Sequence, residues 1–222
     1  MDTPVKMDGV LLDLDGTLLD TAPDMAAALN ALRTERALPA VDFPLIRAQV
    51  SHGSNAVVRV GFPAVDETEF ESLRERFLEL YRDGLAVNTR PFPGLDTVLR
   101  QAERAGVPWG VVTNKPGWLA APLLEALQLT ARCRVLIAGD TLPERKPHPR
   151  PLLVAAEKLG VAPERCAYVG DALRDMQAAR AAGMVGLVAL FGYIGVADEP
   201  AAWPADAWLD RAEELRPWLG LS

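Results

Sequence analysis

The chain has 222 residues, 50% hydrophobic and 24% charged, with Lys+Arg at 23 against Asp+Glu at 30 for a formal charge of −7. This is ordinary globular composition. It excludes a disordered tail, a collagen and a coiled-coil rod, and two cysteines without CxxC spacing, Cys133 and Cys166, argue against a disulfide framework or a cysteine zinc site.

The acidic balance and the lack of a basic run give nucleic-acid binding little electrostatic support. No segment holds the ~18 consecutive apolar residues of a membrane helix. The opening residues, Met1 to Lys6, do not pair a charged n-region with an apolar h-region, so no secretory signal is expected and the expected compartment is the cytoplasm. The length allows one or two domains.

Taken in chain order, the first strand is predicted at Val10–Leu14. From about residue 20 to about residue 90 no strand is expected. Ala26 to Leu38 reads as one helix, and Phe70, Leu73, Phe77, Leu80 and Tyr81 form a stripe at helical spacing, opened by Asp66 with Glu69 three residues on. Pro91, Pro93 and Gly94 close the stretch as a turn. We therefore expect a helical insert over 20–90, and an α/β core built from 1–19 and 91–222. In that core a helix carries Leu95, Val98, Leu99 and Ala102 and stops near Gly106, followed by strands at Trp109–Thr113 and Arg134–Ala138. A helix on Leu152, Leu153, Ala156 and Leu159 stops at Gly160. A strand at Ala167–Gly170, a helix ending at Gly183 and a strand at Val185–Leu190 complete the series. Most of these strands are continuously apolar, as strands covered on both faces are. Strands alternating with helices predict a doubly wound parallel-sheet α/β domain.

The chemistry-bearing residues fall at strand ends: Asp13 and Asp15, then Thr113 and Asn114, then Asp140 with Lys146 in the following proline-rich loop, then Asp171. Open parallel sheets bind ligands beyond the carboxyl ends of their strands, so these groups are expected to converge. Carboxylates gathered in one place need a cation between them, and oxygen ligands select a hard ion such as Mg²⁺. Lys146 and Thr113 suit an anion opposite the metal, and a phosphate group satisfies both halves. Asp13 and Asp15, two apart on extended backbone, point to one side, and Gly16 lets the chain turn tightly against a ligand. A calcium loop does not fit, since Gly16 is fourth and Asp24 twelfth. No GxxxxGK[ST], GxSxG or HExxH pattern is present. In the insert, His52 of Ser51-His52-Gly53-Ser54-Asn55 reads as an exposed turn histidine or a contact to a substrate carboxylate. Arg47 reads as an anion partner or a solvated side chain. Arg74, Arg76 and Arg82 read as a solvated face, and Phe43, Phe62 and Trp118 as cleft lining or, the safer assumption, as core.

Asp13-Leu14-Asp15-Gly16-Thr17-Leu18-Leu19-Asp20, Val111-Val112-Thr113-Asn114, Lys146-Pro147-His148-Pro149 and Gly170-Asp171-Ala172-Leu173-Arg174-Asp175 resemble, in order, the four motifs of the haloacid-dehalogenase-like (HAD) superfamily. The resemblance spans nearly the whole chain and implies a HAD-like Rossmannoid core with a small all-helical C1-type cap. Within the superfamily the chain resembles the phosphoglycolate phosphatase group. Trp109 to Pro116, Gly192-Tyr193-Ile194 and Trp203-Pro204-Ala205-Asp206 look most like N-acetylmuramic acid 6-phosphate phosphatases of cell-wall recycling. The resemblance implies that Asp13 is the nucleophile and that Asp15 protonates the leaving alkoxide and then assists water. It also implies that Asp13, Asp15 through its carbonyl, and Asp171 hold Mg²⁺ with support from Asp175, and that Thr113, Asn114 and Lys146 bind the phosphate. The implied partner is a small phosphorylated metabolite, met by a monomer or weak homodimer, with no nucleic acid and no membrane. Three other readings are a sugar phosphomutase with the same core residues, a metal-independent dehalogenase, and a scaffold without turnover. Asp15 argues against the dehalogenase, and the intact set Asp13, Asp15, Lys146 and Asp171 against the scaffold.

Overall fold

A computed structural model describes residues 5–221; the reading of residues 1–4 lies outside it. Strands β1 (Gly9–Leu12), β4 (Trp109–Val112), β5 (Leu136–Ile137), β6 (Cys166–Gly170), β7 (Val185–Ala189) and β8 (Ala207–Leu209) form one sheet in the order β5-β4-β1-β6-β7-β8. Every neighbouring pair is parallel. The chain builds outward from β1 through β4 to β5, then returns to the other side of β1 for β6, β7 and β8. The order therefore reverses around β1, which places a crevice beyond the carboxyl ends of β1, β4 and β6.

Successive strand side chains leave on opposite faces, and both faces of this sheet are covered. Val10 and Leu12 pack with Leu95, Val98 and Leu99 of α5 (Leu95–Arg104) and with Leu123 and Leu124 of α6 (Gly117–Ala126). Leu11 packs the other way, with Leu152 and Ala156 of α7 (Arg150–Leu159) and Ala178 and Ala179 of α8 (Leu173–Ala182). No helix among the described residues is long and apolar enough to cross a membrane.

Between β1 and β4 lie helices α1 (Ala22–Glu35), α2 (Phe43–Arg47), α3 (Ser54–Gly61) and α4 (Glu67–Asp83). They bury a core of their own around Leu29, Leu32, Val57, Val58, Phe70, Leu73, Phe77 and Tyr81. The apolar stripe of α4 faces inward because its spacing follows the helical period. The Asp66 side chain caps it by accepting the Glu69 N–H at 2.9 Å. Phe62 joins this core, whereas Phe43 is 43% exposed.

The structure corrects several boundaries. The stretch read as free of strands is bracketed by a short antiparallel ribbon of β2 (Leu19–Asp20) and β3 (Arg90–Pro91). Two residues per strand leave no periodicity to read. β8 was missed for the same reason, a three-residue segment that depends on its partner β7. The strand read over Arg134–Ala138 pairs only at Leu136–Ile137. The helix read over Ala26–Leu38 runs over Ala22–Glu35, with Pro23 in its first turn, where a missing N–H costs nothing. It ends where Ala37 enters the left-handed region at φ 52°. Beside the ribbon, buried Asp24 accepts from the backbone N–H and side chain of both Asn88 and Thr89, tying the entry to the insert to its exit.

Candidate active site

Asp13 leaves the sheet at the end of β1, its N–H still bonded to the Val169 carbonyl at 2.9 Å. Its Oδ1 accepts from the Leu14 N–H at 2.7 Å and pairs with Lys146 Nζ at 3.0 Å. Lys146 also reaches Asp175 Oδ1 at 2.8 Å and the Tyr168 hydroxyl at 2.7 Å, and the Tyr168 O–H donates to the Val112 carbonyl at 2.8 Å. The Asn114 amide fixes the Lys146 loop from both sides, donating to the Lys146 carbonyl and accepting from its N–H. Lys146 is thus a buried strut beneath Asp13, in contrast to a solvated lysine.

Carboxylate oxygens of Asp13, Asp171 and Asp175 lie within 4.8 Å of one another, all buried. Burial opposes ionisation of Asp13, but Lys146 and Arg174 outweigh it and hold its carboxyl below the ordinary value. Among the described residues no cation forms an ion pair with Asp171. Burial, then the charges of Asp13 and Asp175, push its carboxyl up to about 7, against bonds from Ser51 and Tyr193 that favour the ionised form. Burial also raises Asp175, with Lys146 opposing. A buried oxygen cluster carrying this excess of negative charge fits a hard divalent cation. Gly16 sits against it at φ +83°, and a Cβ there would collide with the Asp171 carboxylate.

The Asp15 side chain turns away from this cluster. Thr21 Oγ1 at 2.6 Å and Lys115 Nζ at 2.9 Å both donate to its Oδ1, and among the described residues its carboxylate is not part of the Asp13, Asp171 and Asp175 group. Lys115 in turn donates to the Tyr81 hydroxyl of α4 at 3.0 Å. Lys115 thus joins Asp15 of the core to Tyr81 of the insert. Thr113 is buried, and its Oγ1 accepts the Lys115 N–H at 3.2 Å, leaving its hydroxyl proton free to donate.

Asp140 departs from expectation. It is exposed and accepts the Gly117 N–H at the start of α6, so it caps a helix and does not join the cluster. Arg47 neither meets an anion nor simply solvates. It donates to the Gly192 carbonyl at 2.9 Å and lies over the Tyr193 ring at 4.7 Å, clasping the insert to the core. Trp118, 46% exposed, lines the cleft and is not core.

A cleft of about 740 Å³ opens between the sheet edge and the insert. Asp13, Asp15, Thr113, Asn114, Lys115 and Arg174 line it from the core; Ser51, His52, Asn55 and Arg74 line it from the insert. The sequence reading passed over Ser51, which donates to Asp171 Oδ2 at 2.6 Å, and Lys115, Tyr81 and Arg174. Lys115 follows Thr113-Asn114 and Arg174 precedes Asp175, so adjacency was the available signal. Ser51 likewise adjoins His52 in the loop singled out above, whereas Tyr81, on the apolar stripe of α4, carried no such signal.

The Asp171 carboxyl sets a pH dependence. Its native pKa of about 7 against an ordinary 3.8 means that the native state holds a proton the unfolded chain releases. Stability of chelator-treated protein is therefore expected to fall as pH rises from about 4 to about 7, by an amount on the order of a few kcal/mol, and to level off above. Asp175 acts in the same direction, whereas the lowered Asp13 acts only below the window. Urea midpoints at pH 5 and 7.5 check this. The fall should shrink in Asp171→Asn, and an equal fall in both proteins would refute the assignment.

The family description "Haloacid dehalogenase-like hydrolase" matches residues 10–189. The chain is 49% identical over 206 residues to a phosphoglycolate phosphatase of Xanthomonas campestris, covering 93% of each. It is 43% identical over 212 residues to an N-acetylmuramic acid 6-phosphate phosphatase of Pseudomonas aeruginosa, covering 95% of this chain and 94% of that one. A crystal structure described as a predicted phosphoglycolate phosphatase from Haemophilus somnus superposes with a TM-score of 0.83 at 28% identity, covering 95% and 97%.

Proposed function

Because the chain belongs to the haloacid dehalogenase-like hydrolase family, we propose that it is a Mg²⁺-dependent phosphomonoester hydrolase acting on N-acetylmuramic acid 6-phosphate through an aspartyl-phosphate. Asp13 attacks phosphorus, and covalent catalysis divides a difficult hydrolysis into two easier steps. Asp15 gives a proton to the departing alkoxide and takes one from the water that opens the intermediate. With Thr21 and Lys115 on its Oδ1, Oδ2 is the oxygen that carries this proton. The Thr113 hydroxyl and the Asn114 N–H donate to the phosphate oxygens, while Lys146 keeps Asp13 ionised and in place. The carboxylates of Asp13 and Asp171 and the main-chain carbonyl of Asp15 would hold Mg²⁺, with Asp175 supporting them, and the ion would supply positive charge to the phosphoryl oxygens.

The observation that carries the sugar is the cleft. Its 740 Å³ lies in the range of sites that enclose drug-sized ligands, far more than a two-carbon phosphate ester fills. Met25, Val50, Leu78 and Trp118 offer apolar surface beside His52, Asn55 and Arg74, a mixed lining suited to an acetamido sugar with a lactyl carboxylate. The higher identity to the Xanthomonas relative favours a second reading, phosphoglycolate. Phosphate release from the two substrates at matched concentration decides between them. The expected kcat/KM preference for the sugar phosphate is above about 10²-fold, roughly 2.7 kcal/mol in transition-state binding. A preference of that size for phosphoglycolate would replace the sugar reading.

A further inference from the structure

Of the charged side chains of the cleft that have no part in the mechanism above, Arg174 is the one paired with Asp13. Arg174 stands in the first turn of α8 and lines the cleft with Asp13 and Thr113. Its Nη2 is 3.9 Å from Asp13 Oδ2, beyond hydrogen-bond range, and its buried Nε has no acceptor. The guanidinium therefore faces the nucleophile without being bonded to it. Lys146 is in the opposite condition. Lys146 has three polar neighbours within 3.0 Å, Asp13 and Asp175 as ion pairs and the Tyr168 hydroxyl as hydrogen-bond acceptor. The lysine is committed to the protein; the arginine has donors to spare. The two Asp13 oxygens differ in the same sense. Oδ1 is held by Leu14 and Lys146, while Oδ2 looks toward Arg174.

We propose that Arg174 is a catalytic residue that donates from its guanidinium to the phosphoryl oxygens during transfer to Asp13 and during hydrolysis of the aspartyl-phosphate. Oδ2 forms the bond to phosphorus as the bond to the leaving oxygen breaks, and that oxygen takes its proton from Asp15. In the second step water supplies the oxygen, its proton goes to Asp15, and the Asp13 carboxylate leaves. Arg174 keeps its protons throughout. A phosphorus bonded to Oδ2 carries its remaining oxygens into the gap that separates Oδ2 from Nη2. A planar fork of donors matches two such oxygens at once, which a single ammonium cannot do. The inference rests on the phosphatase reading.

The test compares wild type, Arg174→Gln and Arg174→Lys, with Mg²⁺ saturating and folding checked by thermal unfolding. Phosphate release is measured from N-acetylmuramic acid 6-phosphate and para-nitrophenyl phosphate. Arg174→Gln should lower kcat by about 10²–10³-fold on both esters, the loss typical of one donor to developing charge. Arg174→Lys should recover only part of it. Affinity for tetrafluoroaluminate, a planar mimic of the group in transfer, should fall in step with kcat/KM, and added guanidinium should partly restore Arg174→Ala. Arg174→Gln within about threefold of wild type would overturn the proposal. So would Arg174→Lys at full activity, because charge balance alone would then explain the residue. If Arg174→Gln does not fold, Arg174→Lys and the rescue of Arg174→Ala carry the same decision. A wild-type protein that releases phosphate from neither ester would instead remove the phosphatase reading.

Discussion

Asp13→Asn is expected to reduce phosphate release by about 10⁵-fold while leaving the protein folded, a loss on the scale seen when one member of a covalent catalytic unit is removed. The amide has the shape of the carboxylate, so its oxygen can still accept the Leu14 N–H. It carries no charge and is a poor nucleophile toward phosphorus. Lys146 keeps Asp175 and Tyr168, so one partner is lost and the strut stands. Single-turnover phosphate release with Mg²⁺ present checks the first half, and thermal unfolding checks the second. Residual turnover within 100-fold of wild type, in a preparation free of other phosphatases, would take the nucleophile role from Asp13.

Lys146→Met should do the larger damage to stability. The lysine side chain is fully buried between Asp13, 4% exposed, and Asp175, fully buried. Removing it leaves two carboxylates in low dielectric with only Arg174 near them. Breaking a buried ion pair from one side typically costs about 3–5 kcal/mol, and here two pairs share the one cation. The loss has a sign in pH. Without the ammonium both carboxyls titrate at higher pH in the native state, so the variant binds protons on folding and regains stability as pH falls. Urea denaturation at pH 8 and pH 5 should show a deficit of several kcal/mol that narrows at the lower pH. A deficit below about 1 kcal/mol at pH 8 would mean that Lys146 is no strut. Activity should also fall steeply, because Asp13 loses the partner that keeps it ionised.

The parts of the molecule that could be read from the chain are those whose cause is local. Val10 to Leu12, Trp109 to Val112 and Cys166 to Gly170 are buried on both faces, and an unbroken apolar run is the direct result. The stripe on α4 and the Asp66 cap are likewise written within a few residues. That Asp13, Lys146 and Asp171 meet follows from topology, since each trails a strand on the same edge. Where the cause lies elsewhere in the chain, local reading failed. Asp140 also trails a strand, the same β5 that leads to Lys146, but its carboxylate is taken up by the Gly117 N–H of α6. Nothing near Arg47 announces Tyr193, and nothing near Ser51 announces Asp171, 120 residues away. β8 and the β2–β3 ribbon are too short to carry a pattern and exist through their partners.

The ribbon has one more consequence. Leu19 pairs with Pro91 and Asp20 with Arg90, so the chain departs from the core and rejoins it at neighbouring points. Everything between is, to the sheet, a loop whose ends are already closed. Its length and sequence can drift without shifting the register of β1 against β4 and β6, and so without moving Asp13, Thr113 or Asp171. Two ties cross back from the insert, Ser51 to Asp171 and Tyr81 to Lys115, so it is at those positions that the insert remains coupled to the sheet edge. Elsewhere the insert can be rewritten, and the lining of the cleft with it, while β1, β4 and β6 stay in register; relatives matched along more than nine-tenths of this chain carry different substrate names.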